Sequence, residues 1–300
     1  MRETTSFGAI VPPITRDESG SGDARRPTWV GRYLDLLGLE APPRRNSAGL
    51  ATIARRHAEA VPFHNLDLQV GEPGPVRVEA ALDAVLGGRG GTCFELNLAL
   101  GTLLDALGYH VRLVAGRVWQ ADRVGIPHGH LALLVRPVGT PTWITDVGFG
   151  DRWMVAPFPD GDERVGVAGV GVGAGGEVDI SVEGVRWYRL SRTPLVPADF
   201  DAAKWYFATG PDTRLNRSLV CSIATATGRV TLADRRLITL DGTERAERRL
   251  AADSEILSVY RDLFGLTLDR LPRPRRRDAD GHDWFGQPST AAHHSQAAGI

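Results

Sequence analysis

Three side chains in this sequence have the types and settings that covalent nucleophilic chemistry asks for: Cys93, a histidine at position 128 or 130, and Asp146. Cys93 stands in Arg89-Gly90-Gly91-Thr92-Cys93-Phe94-Glu95-Leu96-Asn97. Thr92 followed three residues later by Glu95 is a capping-box pattern, and Leu96, Leu100, Leu103, Leu104 and Leu107 then recur at helical spacing until Gly108. The spacing predicts a helix that begins at Cys93. Backbone N–H groups and the positive end of the helix dipole face that position, and both stabilise a thiolate, the form in which cysteine attacks.

A cysteine nucleophile needs a base within hydrogen-bond reach and a third group that orients the base. His128 and His130 precede and open an apolar run, Leu131 to Val135, that reads as a strand. Two residues apart, they share one strand face, so spacing leaves both as candidates. Asp146 lies on the next strand, in Thr145-Asp146-Val147-Gly148-Phe149-Gly150. If the two strands pair across the turn Pro137-Val138-Gly139-Thr140-Pro141, the start of the first meets the end of the second, and His130 and Asp146 become neighbours. An aspartate between Ile144 and Val147 needs such a partner, because an isolated buried carboxylate is costly. A triad of Cys93, His130 and Asp146 outranks a zinc site, for which no ligand spacing is present, and no metal is expected. Cys221, inside the apolar run Leu219 to Ile223, reads as an inert core thiol.

The elements that must position these groups divide the chain. Residues 1–27 lack periodicity and read as a mobile extension. Residues 28–108 read as a helical bundle carrying the nucleophile, with helices from Thr28, over Ala48 to Ala60, over Val78 to Leu86 and from Cys93. His57, on the apolar face of the second helix, reads as a packed core histidine. At Gly108 the period changes from 3.6 to 2, and closely spaced strands over 109–206 predict a β-barrel carrying the histidine and aspartate. Residues 207–272 mix strands with an amphipathic helix over Asp253 to Phe264, its inward face Ile256, Leu257, Tyr260 and Leu263, and read as an α/β lid. Residues 273–300 read as a second mobile tail. The fold class is therefore α+β.

Thirty-five basic and 36 acidic side chains nearly cancel, which excludes a global basic field for nucleic acid or membrane surfaces. No apolar run spans a bilayer and no secretory signal pattern opens the chain, so a cytoplasmic protein is expected.

Four segments in this order, Val61-Pro62-Phe63-His64-Asn65-Leu66-Asp67, the cysteine segment, Gly129-His130-Leu131-Ala132-Leu133-Leu134-Val135 and Asp146-Val147-Gly148-Phe149-Gly150, resemble the arylamine N-acetyltransferase family from about residue 28 to 270. The resemblance implies a helical bundle, a β-barrel and an α/β lid, related to cysteine-protease architecture. It implies acetyl-coenzyme A as acyl donor and a small amine, an arylamine, arylhydroxylamine or hydrazine, as acceptor. By position it makes Cys93 the acylated nucleophile, His130 the base and Asp146 the orienter. Phe63, Phe94, Val118 and Phe149 fall at acceptor-pocket positions, and Gly148 and Gly150 lie near the donor thioester. Backbone N–H groups at the helix start would hold the oxyanion, and the kinetics would be ping-pong.

The match has departures. Thr92 occupies a position usually aromatic in the family, His64 one where glutamate is common, and Leu215 one where a pocket phenylalanine often stands. Some members of the fold are amide synthases that release a chain from an acyl carrier protein as an amide or macrolactam. The arginines from Arg270 to Arg277 would suit either coenzyme A phosphates or such an acidic carrier.

Overall fold

The computed structural model describes residues 27–70, 73–120, 123–150, 152–158, 170–172, 177–182, 185–211 and 213–274. Of the two expected extensions only Pro27, Arg273 and Pro274 fall among them, and the strand expected over Val165 to Val172 is described only at Val170–Val172.

Four helices come first: α1 (Thr28–Leu36), α2 (Ser47–Ala60), α3 (Val78–Leu86) and α4 (Cys93–Ala106). Between α2 and α3 the chain breaks at Pro62 into a short strand, β1 (Phe63–His64), and a 3₁₀ turn (Leu66–Gln69). The middle strands are β2 (His110–Gln120), β3 (Arg123–Val124), β4 (His130–Arg136), β5 (Trp143–Phe149), β6 (Arg152–Pro157), β7 (Val170–Val172), β8 (Val178–Val182) and β9 (Val185–Leu190). After α5 (Asp201–Thr209) come β10 (Val220–Ala224), β11 (Gly228–Ala233), β12 (Arg236–Asp241), β13 (Glu244–Arg249) and α6 (Asp253–Phe264).

The central strands form one antiparallel sheet in the order β6-β5-β4-β2-β9-β8-β7, with β3 folded back on β2. It has two edges and forms a half-barrel. Both faces are buried. Leu113, Ala115, Leu131, Leu133 and Val135 pack with the helices, while Val114, Ala132, Leu134 and Ile144 pack inside the curl with Ile180, Tyr188 and Leu190. This double burial explains why β4 reads as a continuous apolar run. At the centre of the helical side, α4 is buried on nearly every face, with Leu96, Leu98, Leu100, Leu103 and Leu104 fully enclosed.

The second sheet, β1-β10-β11-β12-β13, draws its first strand from the helical half: Phe63 pairs with Ser222 and His64 with Cys221. Helix α6 covers it through Ile256, Val259, Tyr260 and Phe264. Leu263, expected inward, is instead 44% exposed, and Phe264 with Leu266 fills the space under the last turn. Strand β13 escapes sequence patterning because its residues, Glu-Arg-Ala-Glu-Arg-Arg, are all exposed and only its backbone ladder to β12 defines it. Charge on such an edge discourages pairing with another chain.

Candidate active site

Helix α4 begins at Cys93. The Glu95 carboxylate accepts from both the amide (2.8 Å) and the hydroxyl (2.7 Å) of Thr92, and its other oxygen meets the Lys204 ammonium at 2.7 Å. Burial would raise the Glu95 pKa, but Lys204 and Thr92 outweigh it and hold the carboxyl below its usual range. The loop ahead of the helix is held just as firmly. Gly90 has φ +76°, and a Cβ there would lie 2.0 Å from the Pro62 carbonyl oxygen. His64 Nε2–H donates to the Arg89 carbonyl at 2.8 Å while Nδ1 accepts from the Leu66 amide at 3.2 Å, an arrangement open only to the neutral ring. Burial is the main cause that lowers its pKa.

One turn into α4, Asn97 joins the helix to the sheet. Its Nδ2 donates to the Leu131 carbonyl at 2.7 Å and to Asp146 Oδ1 at 2.8 Å, and its Oδ1 accepts from the Val147 amide at 2.9 Å. The ladder between β4 and β5 ends at Leu133 and Thr145, so Asn97 occupies the place of the next backbone pair, and the β5–β6 register shifts between Asp146 and Phe149. A bulge of this kind re-aims side chains. Gly148 then passes so close to the helix that a Cβ would sit 2.5 Å from Cys93 Cα and 2.9 Å from Asn97 Nδ2. Only glycine fits.

Asp146 is fully buried and accepts from His130 Nε2 at 2.6 Å on Oδ2 and from Asn97 Nδ2 and the Gly148 amide (2.9 Å) on Oδ1, and the Tyr188 hydroxyl also bonds it. Burial pushes its pKa up, but the attraction of His130 and these bonds prevail and lower it. The His130 imidazole also hydrogen-bonds the Cys93 thiol. Desolvation alone would depress its pKa, yet Asp146 and Cys93 raise it to about 10. The ring is fixed between Tyr188 (centroids 4.7 Å apart) and the edge-on Phe149 (5.3 Å). Gly116 makes room for this stack, since a Cβ there would lie 3.0 Å from the Tyr188 ring.

Cys93 (7% exposed) and His130 (2% exposed) open into a cavity of about 730 Å³. Phe63, Val118, Phe149 and Leu215 line it, as do Gly148 and Gly150. Phe94, expected in the same wall, instead turns into the core against Phe200 and Phe207, and Phe207 lines the cavity in its place. Helical geometry explains this: one residue on from Cys93, the side chain points about 100° away. The described lining contains five arginines, Arg117, Arg123, Arg152, Arg186 and Arg214, and no carboxylate. Arg152 lies over the Trp187 ring, which stacks on Phe149, and Arg186 over the Trp119 ring.

His128 does not share the face of His130. It lies before β4 with φ +56°, and its Nδ1 bonds the Asp199 carbonyl at 2.9 Å. Sequence reasoning missed Asn97, Tyr188 and the arginine lining. Asn97 had a legible cue, a polar residue one turn after the cysteine on a helix otherwise apolar there. Tyr188 had none. His57 and Cys221 are both fully buried, as expected of core residues.

The family model described as N-acetyltransferase matches residues 48–272. The arylamine N-acetyltransferase of Mycolicibacterium smegmatis is 28% identical over 267 residues, covering 81% of this chain and 93% of its own. The solved M. smegmatis arylamine N-acetyltransferase superposes with a TM-score of 0.72 at 26% identity, over 80% of this chain and 92% of its own. The Mycobacterium marinum arylamine N-acetyltransferase in complex with CoA superposes with a TM-score of 0.69 at 26% identity, over 79% and 92%.

Proposed function

Because this chain belongs to the arylamine N-acetyltransferase family, we propose that it carries an acetyl group from acetyl-coenzyme A to an arylamine or hydrazine by way of a thioester on Cys93. The observation that carries the mechanism is the buried relay Cys93–His130–Asp146 at the floor of the cavity. His130 takes the Cys93 proton, and the resulting imidazolium is held by Asp146, which accounts for a histidine pKa raised to about 10. The thiolate attacks the thioester carbonyl. First-turn amides of α4, which have no helical acceptors, face the developing oxyanion. The tetrahedral adduct collapses, the carbon–sulfur bond to coenzyme A breaks, and His130 returns its proton to the departing thiolate. The amine then attacks the acyl-cysteine, His130 accepts its proton, and Cys93 leaves as the thiolate.

Tyr188 and Phe149 hold the imidazole in plane through both halves, and Asn97 and the Gly148 amide keep the Asp146 carboxylate aimed at it. The apolar wall of Phe63, Val118 and Phe207 suits a flat aromatic acceptor. The arginines of the same cavity suit a donor that carries phosphates.

Intact-mass measurement after incubation with acetyl-coenzyme A tests the reading. A single acetyl adduct, absent from Cys93→Ser and discharged by an arylamine, is expected. An adduct formed only from a longer or carrier-bound acyl thioester would replace this reading with the amide synthase chemistry.

A further inference from the structure

A second cavity, of about 480 Å³, opens on the far side of the segment that walls the first. Thr213, Arg214 and Leu215 line the catalytic cavity, and Arg217, Ser218 and Leu219, the residues that follow, line the second. The β11–β12 turn (Ala233 to Arg236), Arg249 at the end of β13, Asp253 and Ile256 of α6 and residues 271–274 complete it.

Its chemistry is two-sided. Leu219, Ala233, Ile256 and Leu271 give an apolar floor, and five arginines, Arg217, Arg235, Arg236, Arg249 and Arg273, stand around it. Only two carboxylates join them, and both are engaged: Asp253 by Arg235, and Asp234 by the Leu219 amide at 2.9 Å. The neighbouring acids are engaged as well. Glu247 binds Arg236 at 2.6 Å and Arg245 at 2.8 Å, and Glu255 binds Arg248.

The side chains of Arg249 and Arg273 make no hydrogen bond or ion pair with any described residue. Arg249 also stands directly across the β12–β13 ladder from Arg236. Like charges in that position repel; Glu247 offsets Arg236, but among the described residues no carboxylate pairs with Arg249. Beside them α6 begins without a side-chain cap, because Ala252 occupies its N-cap. The start of α6 therefore adds its partial positive charge to theirs.

We propose that this second cavity is a binding site for a phosphorylated organic anion of nucleotide size, its phosphates on Arg249 and Arg273 and its organic part on the floor. Arginine forks match phosphate oxygens in pairs, and a volume of this order is that of a small-ligand pocket. Its lining residues Arg217 to Leu219 follow directly on the 3₁₀ turn Arg214–Asn216, of which Arg214 and Leu215 line the catalytic cavity. The proposal is independent of which acyl group and amine the catalytic cavity takes.

The test is calorimetric titration of the full chain with adenosine diphosphate and with inorganic pyrophosphate at low ionic strength. Arg249→Gln, Arg273→Gln and their double variant are compared with Arg214→Gln, which reports on the catalytic cavity. Both replaced residues of the second cavity are exposed, so folding is retained, and the urea midpoint checks it. The wild type is expected to bind both probes, adenosine diphosphate the more tightly, and the double variant to lose roughly tenfold or more in affinity. Arg214→Gln is expected to leave the affinity within about twofold. Absence of binding to the wild type, or binding that survives the double variant and falls with Arg214→Gln, overturns the proposal.

Discussion

Acidification should reveal a cost built into the helical half of the molecule. His57 lies on α2, fully buried, with neither ring nitrogen hydrogen-bonded, and burial lowers its pKa from 6.5 to about 3. In the unfolded chain the imidazole takes up a proton as the pH falls through 6.5, while in the folded protein it stays neutral down to about 3. Stability is free of this penalty above pH 6.5 and is lost progressively between 6.5 and about 3. Each unit costs about 1.4 kcal/mol, so two units below the unfolded pKa cost about 2.7 kcal/mol, a large part of the roughly 5–15 kcal/mol that holds a domain folded.

His130 does not mask the effect. Its pKa is raised, so its contribution is complete below 6.5 and constant from there downward. His64 is lowered in the same direction as His57 but is present in every variant compared. The assay is urea unfolding of the wild type and His57→Leu at pH 7 and pH 4.5. The leucine removes the titrating group and the two unpaired nitrogens, and the free-energy gap between the proteins should widen by roughly 2–3 kcal/mol in its favour at the lower pH. Parallel losses in the two proteins would refute the reasoning, whatever the packing cost of the leucine, because that cost does not depend on pH.

Three further outcomes follow from the site. His130→Gln should abolish acylation of Cys93, whereas His128→Gln, which removes a bond to the Asp199 carbonyl and a ring contact with Phe200, should leave the acylation rate within about twofold by intact mass. Gly148→Ala should slow acylation by about a hundredfold with unchanged circular dichroism, since the new methyl group meets Cys93 Cα at 2.5 Å and must displace the nucleophile. Asn97→Ala strips partners from the Leu131 carbonyl, the Val147 amide and Asp146, and urea unfolding should show a loss of roughly 2–6 kcal/mol.

Much of this molecule can be read from local pattern. Thr92 and Glu95 mark the start of α4 and Gly108 follows its end, because a cap and a stop act within a few residues of chain. The change of period after Gly108 announces the strands for the same reason. Cys93, His130 and Asp146 stand out because each is a reactive side chain in an otherwise apolar frame. Tertiary structure decided what depends on the meeting of distant segments. It separated His128 from His130 by a single positive φ, and sent Phe94 into the core with Phe207 in its place. It put β1 of the helical half on the edge of the second sheet, and it gathered ten arginines of a chain with almost no net charge around two cavities. Alternation along a strand encodes which face a residue takes, but which faces close on one another follows from packing across more than a hundred residues of chain, and no local signal carries it.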